Sequence, residues 1–168
     1  MMEEKLRLSG IMRESIVDGP GLRYTIFAQG CIHACKGCQN PQTHEFEGGF
    51  LASPHAILRD IKKNPLISGV TFSGGDPFCQ AKAFFELGLM LKKEKFHIMT
   101  YTGYTYEEIL SSKDPAMQDL LSVSDILVDG RFILEMRDLN LKFRGSSNQR
   151  LINVPVSLHE KKVVLANF

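Results

Sequence analysis

A repeated unit of strand, glycine-bearing loop and capped helix runs through this chain and confines it to the α/β class with a largely parallel sheet. Leu22 to Gln29 is rich in β-formers, places Tyr24, Ile26 and Ala28 on one face, and runs directly into Gly30. Ser53-Pro54 then supplies an N-cap with proline at the first helical position, and Ile57, Leu58 and Ile61 form the apolar stripe of a helix ending near Asn64-Pro65. The unit recurs: Gly69 to Phe72 is a strand, Ser73-Gly74-Gly75 a loop, and Asp76-Pro77 opens a helix with Phe78, Ala81, Phe84, Phe85 and Leu91 on its core side. Phe96 to Tyr101 leads through Thr102-Gly103-Tyr104 into a capping box at Thr105-Tyr106-Glu107-Glu108, and Asp114-Pro115 starts another short helix. Ser124 to Val128 is a fourth strand, ending at Asp129-Gly130-Arg131, and Leu151 to Val154 a fifth.

The units are about 30 residues long, the length of a βα repeat. An eight-unit barrel needs ~250 residues, so a chain of 168 closes only part of one. The expectation is an incomplete α/β barrel of about five parallel strands with outer helices, with an open sheet of Rossmann or flavodoxin type as the alternative. Either way, loops that all follow strands gather on one face, where such folds place their sites. Leu6 to Val17 reads as an extended N-terminal strand or hairpin, and Val156 to Phe168 is weakly patterned. The length suits a single domain over 1–168.

The formal charge of +1 gives no electrostatic case for nucleic acid or an anionic membrane. Met1-Met2-Glu3-Glu4-Lys5 carries no apolar leader, and no apolar stretch approaches the ~18 residues that span a bilayer, so a cytoplasmic protein is expected.

Directly after the first core strand, Cys31, Cys35 and Cys38 stand as C-I-H-A-C-K-G-C. The loop is too tight for a disulfide framework, and it offers a metal centre three thiolates rather than four. A 4Fe-4S cube held by three thiolates keeps one iron open, whereas a structural zinc site closes its tetrahedron. A Cys3His zinc site recruiting His33 or His44, and a single catalytic thiol, are the alternatives, although no second ligand pair follows and no cysteine stands apart with a base. Cys79, beyond the glycine loop, reads as a small buried hydrophobe rather than a fourth ligand.

These residues resemble the radical S-adenosylmethionine (SAM) superfamily, whose CX3CX2C loop follows the first barrel strand. Further motifs resemble one family within it, the activases of anaerobic (class III) ribonucleotide reductases: Asp18-Gly-Pro-Gly21, Gln29-Gly-Cys31, Gly37-Cys38-Gln39-Asn40-Pro41, Thr71-Phe-Ser-Gly-Gly-Asp-Pro77, Tyr101-Thr-Gly-Tyr104, Val128-Asp-Gly-Arg-Phe132 and Arg144-Gly-Ser-Ser-Asn-Gln-Arg150. The superfamily often has an aromatic residue before the third cysteine and Gly-Gly-Glu after the second strand. Here Gly37 and Asp76 stand instead, as in the activases.

The resemblance implies that Cys31, Cys35 and Cys38 hold a 4Fe-4S cluster whose open iron is chelated by the amino and carboxylate groups of SAM. One electron from the reduced cluster then breaks the S–C5′ bond, giving methionine and a 5′-deoxyadenosyl radical that abstracts a glycine Cα hydrogen on the partner reductase. It further implies that Gly74 and Gly75 offer SAM a close backbone edge, that Asp76 pairs with its ammonium, and that Gly37, Cys38 and Gln39 turn backbone amides toward the cofactor. Asp129 and Arg131 are candidates for its ribose or carboxylate. Arg144 to Arg150 reads as a polar solvated loop, with contact to a partner protein as the alternative. An electron donor such as a flavodoxin is implied by analogy. The rival functions are a small-molecule radical SAM enzyme of the 7-carboxy-7-deazaguanine synthase type and a non-catalytic iron-sulfur or zinc protein.

Overall fold

The computed structural model describes residues 4–38 and 41–168. Seven strands, β1 (Leu6–Ser15), β2 (Arg23–Ala28), β3 (Phe50–Ala52), β4 (Gly69–Gly74), β5 (His97–Tyr101), β6 (Ile126–Asp129) and β7 (Arg150–Asn153), form one mixed sheet in the order β3-β1-β2-β4-β5-β6-β7. The central strands β2, β4, β5 and β6 run parallel. Helices α1 (Pro54–Lys62), α2 (Ala81–Lys93), α3 (Tyr106–Ser111), α4 (Pro115–Val123) and α5 (Val154–Glu160) complete the chain.

The capped starts expected from sequence form. Ser53, Thr105 and Asp114 each accept a hydrogen bond from a first-turn amide, those of Ala56, Glu108 and Ala116. Asp76 caps a 3-10 turn over Pro77–Gln80 before α2 begins at Ala81.

One expectation is corrected. The last strand is not a fifth parallel strand: β7 pairs with β6 antiparallel, with Val128 opposite Leu151 and Asp129 opposite Arg150. A parallel return needs a crossover, usually helical, that carries the chain back to the other end of the sheet. Residues 130–149 contain no α-helix, only the 3-10 turn Leu134–Met136, so the chain re-enters from the end at which it left. At the opposite edge, β1 lies antiparallel to both β2 and β3, a placement and a third strand that sequence patterning did not assign.

The two faces of the sheet differ. Tyr24, Ile26, Val70, Phe72, Ile98 and Leu127 pack with Ile57 and Ile61 of α1, Leu87 and Leu91 of α2 and Leu120 of α4 in one buried cluster. A smaller cluster on the other face, Met99, Ile126 and Val128 with Tyr101, Phe143, Leu151 and Ala166, has no helical member among the described residues. Beside it lie the buried polar side chains Arg23, Thr25 and Thr71. The Arg23 guanidinium donates to Thr71 Oγ1 at 2.7 Å and to the carbonyls of Pro20 and Val70 at 2.9 Å. Burial lowers its pKa to about 10, which leaves it a cation at neutral pH. The strand ends therefore sit on a frame of apolar packing on one side and saturated polar contacts on the other.

Candidate metal and cofactor site

A cavity of about 480 Å³ opens where β2, β4 and β5 end, lined by Phe27, Ser73, Gly74, Gly75 and Tyr101 of those strands and their loops. Cys31, Cys35 and Cys38 all line it, together with His33 and His44. None of the three is in a disulfide, and all are half-buried. Their loop leaves β2 through Gly30 and is closed by backbone hydrogen bonds from Gly30 to Thr43 and from Cys31 to His44, at 2.6 and 3.1 Å. Among its described residues the chain passes through left-handed conformations at Ala34 (φ 46°) and Gly37 (φ 75°). A side chain at Gly37 would also strike Leu134, its Cβ lying 2.8 Å from the leucine Cδ1. Burial raises the pKa of Cys31, while backbone amides of His33 and Ala34 directed at it oppose the shift. Amides aimed at a cluster thiolate are one way proteins tune an iron-sulfur centre.

Cys79 does not line this cavity. Burial, with Asp76 and Cys31 nearby, pushes its thiol up to about 12; the residue is half-buried, as the other three cysteines are, rather than fully buried.

The glycine edge is shaped by the neighbouring strand as well as by the cavity. A Cβ on Gly74 would lie 2.4 Å from the Ala28 nitrogen, and one on Gly75 would lie 2.3 Å from the Gly30 oxygen. Hydrogen bonds from Gly75 N to Ala28 O and from Asp76 N to Gly30 O, at 2.7 and 2.8 Å, seat this segment on the start of the cysteine loop.

Asp76 is fully buried, and its carboxylate is saturated. Oδ1 accepts the Phe78 amide at 2.9 Å; Oδ2 accepts Thr102 Oγ1 and the Gly103 amide at 2.9 Å and lies 2.7 Å from His33 Nε2. Cys31, His33 and Asp76 bring their ligand atoms within 4.8 Å of one another, but His33 and Asp76 are turned to each other. Asp76 is thus at once the expected helix cap and a tie to two other loops.

The remaining candidates are placed elsewhere. Gly37 and Asp76 sit behind the cavity wall rather than on it. Asp129, 1% exposed, accepts the Tyr106 amide at 2.8 Å and both Arg150 Nε and Nη2, at 3.0 and 2.5 Å. Arg131 is exposed and reaches Glu108 at 3.3 Å. Asp129 and Arg131 share a separate polar cleft with Thr105 and Asn148 and do not reach the cysteines' cavity. Gln39 lies outside the described residues.

Sequence reasoning gave Arg144 to Arg150 to solvent, yet Arg144, Gly145 and Gln149 line the cavity. Gln149 organises the segment, accepting from Gly145 N and Ser146 N and donating to Gly130 O. Its polar composition resembles that of a surface loop; only the antiparallel return of β7 brings it over the strand ends. Thr102 was passed over and His33 weighed only as a zinc ligand; both line the cavity.

An iron-sulfur cluster and a cofactor with a carboxylate fit these residues. Three half-buried thiols converge on one cavity, and two side-chain nitrogens on its wall, Arg144 Nε and His44 Nε2, are buried with no hydrogen-bond partner. Buried donors of this kind call for a ligand or water.

Comparison with known proteins agrees with this chemistry. A family model described as a 4Fe-4S single cluster domain matches residues 17–152. The chain is 39% identical over 142 residues to the anaerobic ribonucleoside-triphosphate reductase-activating protein of Vibrio cholerae, covering 80% of this chain and 89% of that one. It is 33% identical to the protein of that name from Escherichia coli K12, covering 80% and 90%, and 32% identical to that of Enterobacteria phage T4, covering 80% and 86%. Identity at this level over most of both chains, with the cysteine loop inside the matched region, makes this chain a member of the anaerobic ribonucleoside-triphosphate reductase-activating protein family.

Proposed function

We propose that this protein activates an anaerobic ribonucleotide reductase by installing a glycyl radical on it, using a 4Fe-4S cluster and SAM. The observation that carries the reading is the meeting of Cys31, Cys35, Cys38 and the Gly74-Gly75 edge on one open cavity, in a chain whose relatives bear the activating-protein name. Together, cluster and SAM supply one-electron reductive cleavage of SAM and removal of a hydrogen atom from a glycine Cα. The protein's own part is to hold, orient and shield.

Cys31, Cys35 and Cys38 are the ligands in this reading. Gly74 and Gly75 present backbone to SAM, while Asp76 and Gly37 hold that edge and the cysteine loop from behind. In this arrangement Asp76 acts through the groups it holds, since its oxygens are already taken. Arg144 Nε is an available donor for an anionic group. Asp129 and Arg131 belong to the frame under the same face.

The fold proposed is a partial radical SAM barrel; four parallel central strands support it, with helices, among the described residues, packed on one face and Arg23, Thr25 and Thr71 buried beside a small apolar cluster on the other. The cavity mouth suits a macromolecular substrate, because Val17 and Leu139 on its lining are 71% and 79% exposed. The reaction is proposed for the cytoplasm, with an electron donor such as a flavodoxin by analogy; among the described residues no helix is long and apolar enough to cross a membrane.

The test combines the reduced protein, SAM and the candidate reductase anaerobically and measures 5′-deoxyadenosine and the spin-resonance doublet of a glycyl radical. Both signals are expected to require all three cysteines. SAM cleavage with no radical on a competent reductase, accompanied by turnover of a small molecule, would replace this reading with a small-molecule radical SAM enzyme.

A further inference from the structure

His33 lies within the cysteine loop, yet it faces inward. Its side chain is 2% exposed, and Nε2 donates to Asp76 Oδ2 at 2.7 Å. The ring meets Tyr104 edge-on, with centroids 4.6 Å apart at 81°. Gly103 leaves room for it: a Cβ there would lie 2.4 Å from His33 Cδ2. The same Asp76 oxygen also accepts Thr102 Oγ1 and the Gly103 amide. One carboxylate oxygen therefore ties the cysteine loop after β2, the glycine segment after β4 and the loop after β5.

From this we infer that His33 is a positioning residue that sets the metal-binding loop in register with the SAM-binding edge through Asp76. The inference rests on the SAM reading above and assigns His33 no contact with cluster or cofactor. Three facts separate it from simple core packing. His33 directs its polar end, not merely its ring, into the junction; its acceptor carries donors from another loop; and Gly103 is kept free of a side chain at the point where the ring passes. A hydrogen bond in a site closed to water also fixes direction, which packing of a flat ring alone does not. Without it, Cys31, Cys35 and Cys38 keep their thiols, and the loop keeps its backbone hydrogen bond from Asp76 N to Gly30 O, but it loses its side-chain link to Asp76 and, through it, to Thr102 and Gly103.

The experiment compares anaerobically reconstituted wild type with His33→Phe, which keeps a ring against Tyr104 without the donor, and His33→Gln, which keeps a donor at similar reach. Iron content, SAM affinity by calorimetry, and the spin-resonance spectrum of the reduced cluster with and without SAM are measured. His33→Phe is expected to hold about four irons per chain. It should lose about tenfold in SAM affinity, the scale of one hydrogen bond to a charged group, and the spectral change SAM induces should be altered. His33→Gln should recover most of both.

Equal SAM affinity and an unchanged spectrum in His33→Phe would overturn the inference, as would loss of iron in a folded His33→Phe or failure of His33→Gln to improve on it. Should His33→Phe not fold, Gly103→Ala carries the test, since its Cβ would lie 2.4 Å from His33 Cδ2 and displace the ring while every residue of the cysteine loop is kept. Its effect should vanish in a His33→Ala background, and a full effect there would overturn the inference. If wild type itself binds no SAM, the cofactor reading falls first; if wild type binds and His33→Phe binds equally, the His33 inference alone falls.

Discussion

Gly75 lies against Gly30 so closely that a Cβ on Gly75 would sit 2.3 Å from the Gly30 carbonyl oxygen, and Gly30 immediately precedes Cys31. A substitution at the glycine edge therefore strains the root of the cysteine loop. Gly75→Ala is expected to cost about 1–3 kcal/mol, the range for overpacking a close-packed site, and to lower iron content together with SAM affinity. Chemical denaturation and iron analysis check this; full iron with selective loss of SAM binding would show that the edge contacts cofactor alone.

The cysteines divide by environment. Cys31, Cys35 and Cys38 line the cavity, whereas Cys79 lies off it with its thiol pushed up to about 12. Replacing any of the first three by Ala is expected to abolish the brown chromophore of reconstituted protein, and Cys79→Ala to leave it intact. Visible absorption and iron per chain are the readouts, and a colourless Cys79→Ala would mean a fourth ligand.

Asp129 is part of the frame by its contacts, pairing with Arg150 and capping the Tyr106 amide. Asp129→Asn is expected to destabilise the fold by about 3 kcal/mol, because a buried carboxylate is removed from a partly buried arginine. SAM affinity of the folded variant should stay within about twofold of wild type, a difference below that of one hydrogen bond. A tenfold loss of affinity with unchanged stability would return Asp129 to the cofactor site.

His97 gives the fold an acid sensitivity. Its Nδ1 faces Arg23 Nη2 at 3.1 Å, and burial followed by the Arg23 charge lowers its pKa below the ordinary 6.5. The neutral ring is the one that fits. The unfolded chain binds the proton more readily, so this contribution to stability is complete above about pH 6.5 and is lost as pH falls toward the folded value. His97→Asn keeps an acceptor near Nδ1 and cannot titrate. Urea midpoints between pH 8 and pH 5 should fall less for that variant than for wild type, and parallel curves would remove His97 as the cause.

The alternation in β2 and β4, the Ser53, Asp76, Thr105 and Asp114 caps and the cysteine spacing were all legible in the chain. Each is set by local chemistry: a residue's propensity, a proline's missing N–H, or thiols a few residues apart. The parallel core followed from them, and so did the proposal that the three cysteines hold the cluster. The direction of β7, the partners of Asp76 and the role of the 144–150 segment did not, because each depends on groups distant in sequence. Sequence shows Asp129 as a charge at a strand end, and only the antiparallel strand supplies its partner Arg150; Arg144 reads as a solvated residue until that same return places it on the cavity. His33 shows the boundary within one loop: the neighbouring cysteines are proposed as ligands from their spacing, while its own direction is decided by Asp76, 43 residues away.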